Sequence, residues 1–268
     1  MNRPERIAKA IVEHTIPGST MHYRTEQTGG VHDFDLHYPD RTVAPVEVTT
    51  STNQQINATV AAIASRRRGG RFIEARMCRN GWIVHPLADA NVNRLRTDLD
   101  AFLARIETAG LTRFFSWTDA SKCEPVSEIL RELRIEAGSV FAWRGGRQIG
   151  IAAPGQGGRV TAEHLQHAVE IEANKADNQK KLSRTGATET HLFVYVDSRN
   201  YLPWVSLVGG PPPTKPPQLP AEITRVWVVA RTRTPDEYVV WRADRDAGWT
   251  AQAPVAIHAA LDRELGTV

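Results

Sequence analysis

Residues 31–50, VHDFDLHYPDRTVAPVEVTT, constrain this chain more than any other stretch. Phe34, Leu36 and Tyr38 alternate with Asp33, Asp35 and His37, the two-residue period of a strand with one apolar and one polar face. Pro39-Asp40-Arg41 is a tight turn. After it, Val46 and Val48 alternate with Glu47 and Thr49. So short a connection predicts an antiparallel hairpin. Neighbouring strands lie about 5 Å apart, so the hairpin brings carboxylates from both strands within reach of each other.

Around this hairpin the pattern reads as mixed α/β. A helix is expected over residues 4–14, where Ile7, Ile11 and Val12 form a stripe and Pro17-Gly18 ends it. A strand is expected over 20–25, turned by Gly29-Gly30. Helices follow at about 53–68, 89–109 and 124–134, with a short strand at 81–85 and a hairpin over 139–152 around Arg144-Gly145-Gly146. The Gly-rich run Pro154–Gly158 predicts the boundary between a core of residues 1–153 and a C-terminal α/β part, 159–268, which could pack on the same sheet. That part reads as a long helix (161–182), an apolar strand (191–197), a proline-rich surface loop (211–220), strands at 224–230 and 238–243, and a helix from about 254. Trp204, Trp227, Trp241 and Trp249 read as core anchors.

Carboxylates gathered on one sheet repel one another unless a cation joins them. Hard oxygen ligands suit magnesium or manganese, which keep water and substrate phosphate in their remaining positions. Such a metal lowers the pKa of water and stabilises charge on a phosphate in flight. Asp33, Asp35 and Glu47 are the candidate ligands, and Asp33–Asp35 as an ordinary solvent-facing row is the competing reading. A basic cluster, Arg66, Arg67, Arg68, Arg71, Arg76 and Arg79, suits a phosphate backbone, or equally a solvated helix end.

The order helix, strand, acidic strand, turn, Glu-bearing strand resembles the PD-(D/E)xK (restriction-endonuclease-like) nuclease superfamily over residues 5 to about 85. His32-Asp33 stands where that family has Pro-Asp, and Glu47-Val48-Thr49 where it has Glu-x-Lys. The resemblance implies an αβββαβ core and metal-dependent phosphodiester hydrolysis. It gives Glu13, on the first helix, as an added carboxylate and Gln54-Gln55 as helper residues. Thr49 would contact the attacking water or phosphate, and Arg66, Arg67, Arg68 and Arg71 would hold nucleic acid, DNA before RNA. Many members act as dimers, so a homodimer is one assembly it admits. The departure is Thr49 in place of the lysine. The lysine has migrated, with Lys175 or Lys181 as donors, or threonine and metal act alone, or the fold persists as a non-catalytic nucleic-acid-binding or interaction module. The second half resembles uncharacterised actinobacterial proteins, a likeness that carries no activity.

Composition excludes several other classes. No apolar run approaches the roughly 18 residues a membrane helix needs, and the charged N-terminus lacks a secretory apolar block. Cys78 and Cys123 are too few for a disulfide framework, so a reduced cytoplasm is the expected compartment. His164 and His167 have no third ligand for zinc. No nucleophile elbow or phosphate-loop Lys-Ser/Thr is present. The net charge is +3.

Overall fold

The computed structural model describes residues 1–25, 30–65, 70–116, 118, 124, 126–142, 147–154 and 160–257. Along the chain the elements are α1 (Arg3–Thr15), β1 (Thr20–Tyr23), β2 (Phe34–His37), β3 (Val43–Ser51), α2 (Gln54–Ala64), β4 (Phe72–Glu74), β5 (Trp82–Pro86), α3 (Val92–Thr108), β6 (Arg113–Phe115), α4 (Val126–Leu133), β7 (Ile135–Val140) and β8 (Gln148–Ile151). Then follow α5 (Ala162–Ala173), α6 (Ala176–Ser183), β9 (His191–Val196), α7 (Tyr201–Gly209), β10 (Arg225–Arg231), β11 (Glu237–Asp244), β12 (Gly248–Ala251) and β13 (Val255–Ala256). The mixed α/β class expected from the sequence is the class found. Among the described residues, no helix is long and apolar enough to cross a membrane.

The chain forms two units, Met1–Thr52 with Arg159–Val268, and Asn53–Gly158. This differs from the single boundary expected near 154–158. The physical reason is strand pairing. β3 lies parallel to β9, with Glu47 opposite Leu192 and Thr49 opposite Val194, so the segment between them is an insertion. Within the first unit the order is therefore α1-β1-β2-β3-α5-α6-β9, and α2 and β5 belong to the second unit.

In the first unit the strands run β1-β2-β3-β9-β10-β11-β12, with β13 on β11. The 31–50 hairpin is present, with Phe34 opposite Val46 and Asp35 opposite Pro45. β9 and β10 are parallel central strands and almost wholly buried, which explains their continuous apolar sequences. One face of the sheet (Phe34, Val46, Phe193, Trp227) packs with Ile7, Ile11 and Val12 of α1. The other (Leu192, Val194, Val228) packs with Leu165 and Val169 of α5, Leu182 of α6, and Trp204 and Leu207 of α7. α1 starts at an Asn2–Glu5 capping box, which satisfies its first amides.

The expected long helix 161–182 breaks after Ala173. The Asn174 side chain donates to the Glu170 carbonyl (2.8 Å), and Asn178 Nδ2 to that of Glu172 (2.9 Å). The Glu170 carbonyl keeps its helical Asn174 amide at 2.9 Å, whereas at Glu172 the Asn178 side chain stands where a continuous helix would have placed the Ala176 amide. The C-terminal helix expected from 254 begins instead as β13, and residues 258–268 lie outside the described residues. α7 was not expected from the sequence.

The second unit is a five-stranded sheet ordered β4-β8-β5-β7-β6 around its own core, including Trp82, Val84, Leu95, Leu99, Phe114 and Ile129. The expected 139–152 hairpin is not formed. β5 separates its two arms, pairing antiparallel with β7 and parallel with β8, so that Trp82 and Val84 seat Ile149 and Ile151 beside them.

Candidate active site

β3 turns Glu47 and Thr49 to the face covered by α5 and α6, because each alternates with a valine facing α1. Continuing the β2–β3 register by one residue sets Asp33 opposite Glu47. The Val48 amide donates to Asp33 Oδ2 at 2.8 Å, which fixes that carboxyl at the strand. Glu47 is buried, its side chain only 3% exposed, and Lys181 Nζ of α6 donates to Glu47 Oε1 at 2.7 Å. The other carboxyl oxygen, Glu47 Oε2, is buried with no hydrogen-bond partner.

These surroundings set the charges. Burial, then the neighbouring Asp33, pushes the Glu47 carboxyl up to about 8 against the opposing pull of Lys181. Burial also raises Asp33, outweighing the Val48 hydrogen bond and the Lys181 charge. Burial alone would lower the Lys181 ammonium; Glu47 and Asp177, the latter 3.2 Å away, raise it instead. The result is two crowded carboxyls, one cation and one oxygen in want of a partner.

The remaining expected residues are placed differently. Asp35 is turned to Arg24 (2.9 Å) and His32 (2.6 Å); these partners outweigh burial and hold its carboxyl below the ordinary value. Glu13 ties α1 to β1, accepting from the Met21 amide at 2.7 Å and pairing with Lys9. The α1 carboxylate felt at Asp33 is instead Glu5, buried in the capping box. Thr49 Oγ1 donates to Glu172 Oε2 (2.8 Å), which Lys175 also holds at 2.5 Å. Gln54 and Gln55 open α2 in the second unit. Arg71 is exposed ahead of β4, and Arg66, Arg67 and Arg68 lie outside the described residues.

Both lysines raised as donors therefore sit on this face, and Lys181 is the one that meets the motif glutamate. Glu172 was not singled out from the sequence, where it reads as one of many polar residues on a helix. A cleft of about 480 Å3 opens beside Lys181, lined by Arg24, His32, Asp35 and Arg184 among others. Among the described residues, no three His, Cys, Asp or Glu side chains are grouped to hold a metal ion. The expected trio of Asp33, Asp35 and Glu47 is thus not assembled, because Arg24 and His32 engage Asp35. Asp33 and Glu47 remain, and magnesium is commonly held by one or two carboxylates plus water and phosphate. The unpartnered Glu47 Oε2 fits that requirement. No family model matches the chain, nor does any curated protein or solved structure.

Proposed function

We propose that the first unit is a metal-dependent phosphodiesterase of the nuclease type. The observation that carries this reading is the buried Glu47. One of its oxygens meets Lys181 at 2.7 Å, the other lacks a partner, and Asp33 lies beside it. On this reading Asp33, Glu47 and Lys181 stand for the acid, acid and lysine of the PD-(D/E)xK pattern, with the lysine carried by α6 instead of by β3 two residues after the glutamate. The order α1-β1-β2-β3-α5-α6-β9 supports the same reading.

Asp33 and Glu47 would hold magnesium or manganese, which when bound supplies an acidified water and charge stabilisation at the phosphate. Lys181, whose ammonium Glu47 and Asp177 hold against the cost of burial, supplies a fixed positive charge rather than a base. Arg24 and Arg184 along the cleft present further cations to a phosphodiester backbone. Thr49 acts through Glu172 and is not required to touch the reacting atoms. DNA is the first substrate to test.

A second reading has its own observation: Lys181–Glu47 and Thr49–Glu172–Lys175 satisfy most of one another, as a purely structural network would. The fold would then serve as a non-catalytic binding module. Cleavage of DNA and RNA with magnesium or manganese, comparing the protein with Glu47→Ala, separates the two. Metal-dependent cutting lost in Glu47→Ala supports the enzyme. No cutting, with no heat of metal binding, supports the module.

A further inference from the structure

The cleft beside Lys181 carries a pair of side chains that the roles of Asp33, Glu47 and Lys181 leave unused. His32 Nε2 and Asp35 Oδ1 lie 2.6 Å apart, and both residues line the cleft. We propose that His32 is the general acid of this site, protonating the oxygen that leaves phosphorus, a role that rests on the phosphodiesterase reading above. Asp35 is then a positioning residue that orients the imidazole.

The chain around β2 builds the pair. His32 precedes the strand and Asp35 is its second residue, so the imidazole folds back onto the polar face. Arg24 follows β1; its amide donates to the Asp33 carbonyl at 2.9 Å, and its guanidinium reaches Asp35 Oδ2 at 2.9 Å. Each Asp35 oxygen thus has its own donor. Burial would raise this carboxyl, but the bonds from His32 and Arg24 outweigh it and hold the group low, as an anion. A carboxylate only accepts, so Nε2 carries the hydrogen directed at it. The His32 side chain is 10% exposed. Its Nδ1 has no hydrogen-bond partner among the described residues, which leaves that nitrogen for the cleft.

Elimination singles out His32 among the ionisable side chains of the lining, Arg24, His32, Asp35, Lys181 and Arg184. Guanidinium groups do not release protons in proteins. Burial alone would lower the Lys181 ammonium, but Glu47 and Asp177 raise it, so Lys181 keeps its proton as well. Asp35 is already an anion. An imidazole exchanges a proton near neutral pH, and a carboxylate on its far nitrogen stabilises the imidazolium. In the step, water adds to phosphorus, the bond from phosphorus to the leaving sugar oxygen breaks, and the Nδ1 proton passes to that oxygen. The attacking water releases a proton to solvent, from which the neutral imidazole is reprotonated. One water is consumed, and one phosphate monoester and one hydroxyl are formed.

The test is cleavage kinetics on a nucleic-acid linkage that the parent cuts, beside the same linkage with a bridging sulfur in place of the leaving oxygen. A thiolate departs without a proton, since a thiol is far more acidic than a sugar hydroxyl. His32→Gln should slow the ordinary linkage about 100-fold or more and the sulfur linkage by less than about tenfold. Asp35→Asn, which still accepts from Nε2, should show the same pattern with a smaller loss, and it carries the test should His32→Gln fail to fold. Equal loss on both linkages, or no loss on either, overturns the assignment of His32 and leaves the phosphodiesterase reading in place. A folded parent that cuts neither DNA nor RNA with magnesium or manganese overturns that reading, and the role of His32 with it.

Discussion

At the scale of single residues, Glu47 is a buried carboxyl set between Asp33 and Lys181. A carboxyl raised to about 8 from its ordinary 4.5 favours the protonated folded form. Its contribution to stability is therefore full below about 4.5 and falls as pH rises through 8. Lys181 offsets that fall. Lys181→Met should lower stability by about 2–3 kcal/mol, because it strands a buried carboxyl. The loss should be larger at pH 9 than at pH 6, where Glu47 can hold a proton, and urea unfolding at the two pH values checks it. Glu189 gives the opposite sign. Hydrogen bonding to His191, then the opposing cost of burial and the help of Tyr38 and Arg225, leave its carboxyl at about 2. Its stabilisation is present above 4.5 and lost as pH falls towards 2. Since Glu189 is half-exposed, Glu189→Gln should remove only about 1–2 kcal/mol at neutral pH. The variant and the parent should converge in stability near pH 2, as read by thermal unfolding across pH.

At the scale of elements, the break between α5 and α6 places Lys181. A continuous helix would carry that side chain along another direction, and the break contains no proline or glycine; the Asn178 side chain takes up the Glu172 carbonyl across it. Asn178 is buried and holds the Glu172 carbonyl at 2.9 Å. Asn178→Ala should cost about 0.5–1.5 kcal/mol, since it removes one buried hydrogen bond to a carbonyl that keeps the Lys175 amide at 3.3 Å. It should also reduce any metal-dependent cleavage by shifting Lys181, so unfolding and cleavage rate should change together. Thr49→Val gives the contrast. It removes one hydrogen bond to Glu172, about 0.5–1.5 kcal/mol, while Lys175 keeps its hold on that carboxylate. Any metal-dependent cleavage should persist; its loss would return Thr49 to the reacting atoms.

At the scale of the molecule, the two units have separate cores: every residue of the second unit's core lies between Ile63 and Ile151, and the first unit's two clusters contain none of that segment. Replacing residues 53–158 by a flexible Gly-Ser linker should therefore leave the first unit folded, because closing a longer or shorter loop changes the free energy only slowly with length. A dispersed amide NMR spectrum and a cooperative melt of the shortened chain check this.

The hairpin, its alternating faces and the buried character of 191–196 and 225–231 were legible in the sequence, because two-residue alternation and apolar runs are local signals. So was the polar face of the strand that carries Glu47. The acid that Asp33 senses on α1 was not: Glu5 is marked only by the capping box it forms with Asn2, whereas Glu13 sits at the more obvious helical position. Nor could the sequence choose between Lys175 and Lys181, or see Arg24 and His32 draw Asp35 away. Local pattern fixes which face a side chain takes; what meets it there depends on strand pairing. β3 pairs with β9 across more than a hundred residues of intervening chain, and that single long-range choice brings α6, and Lys181 with it, to the glutamate.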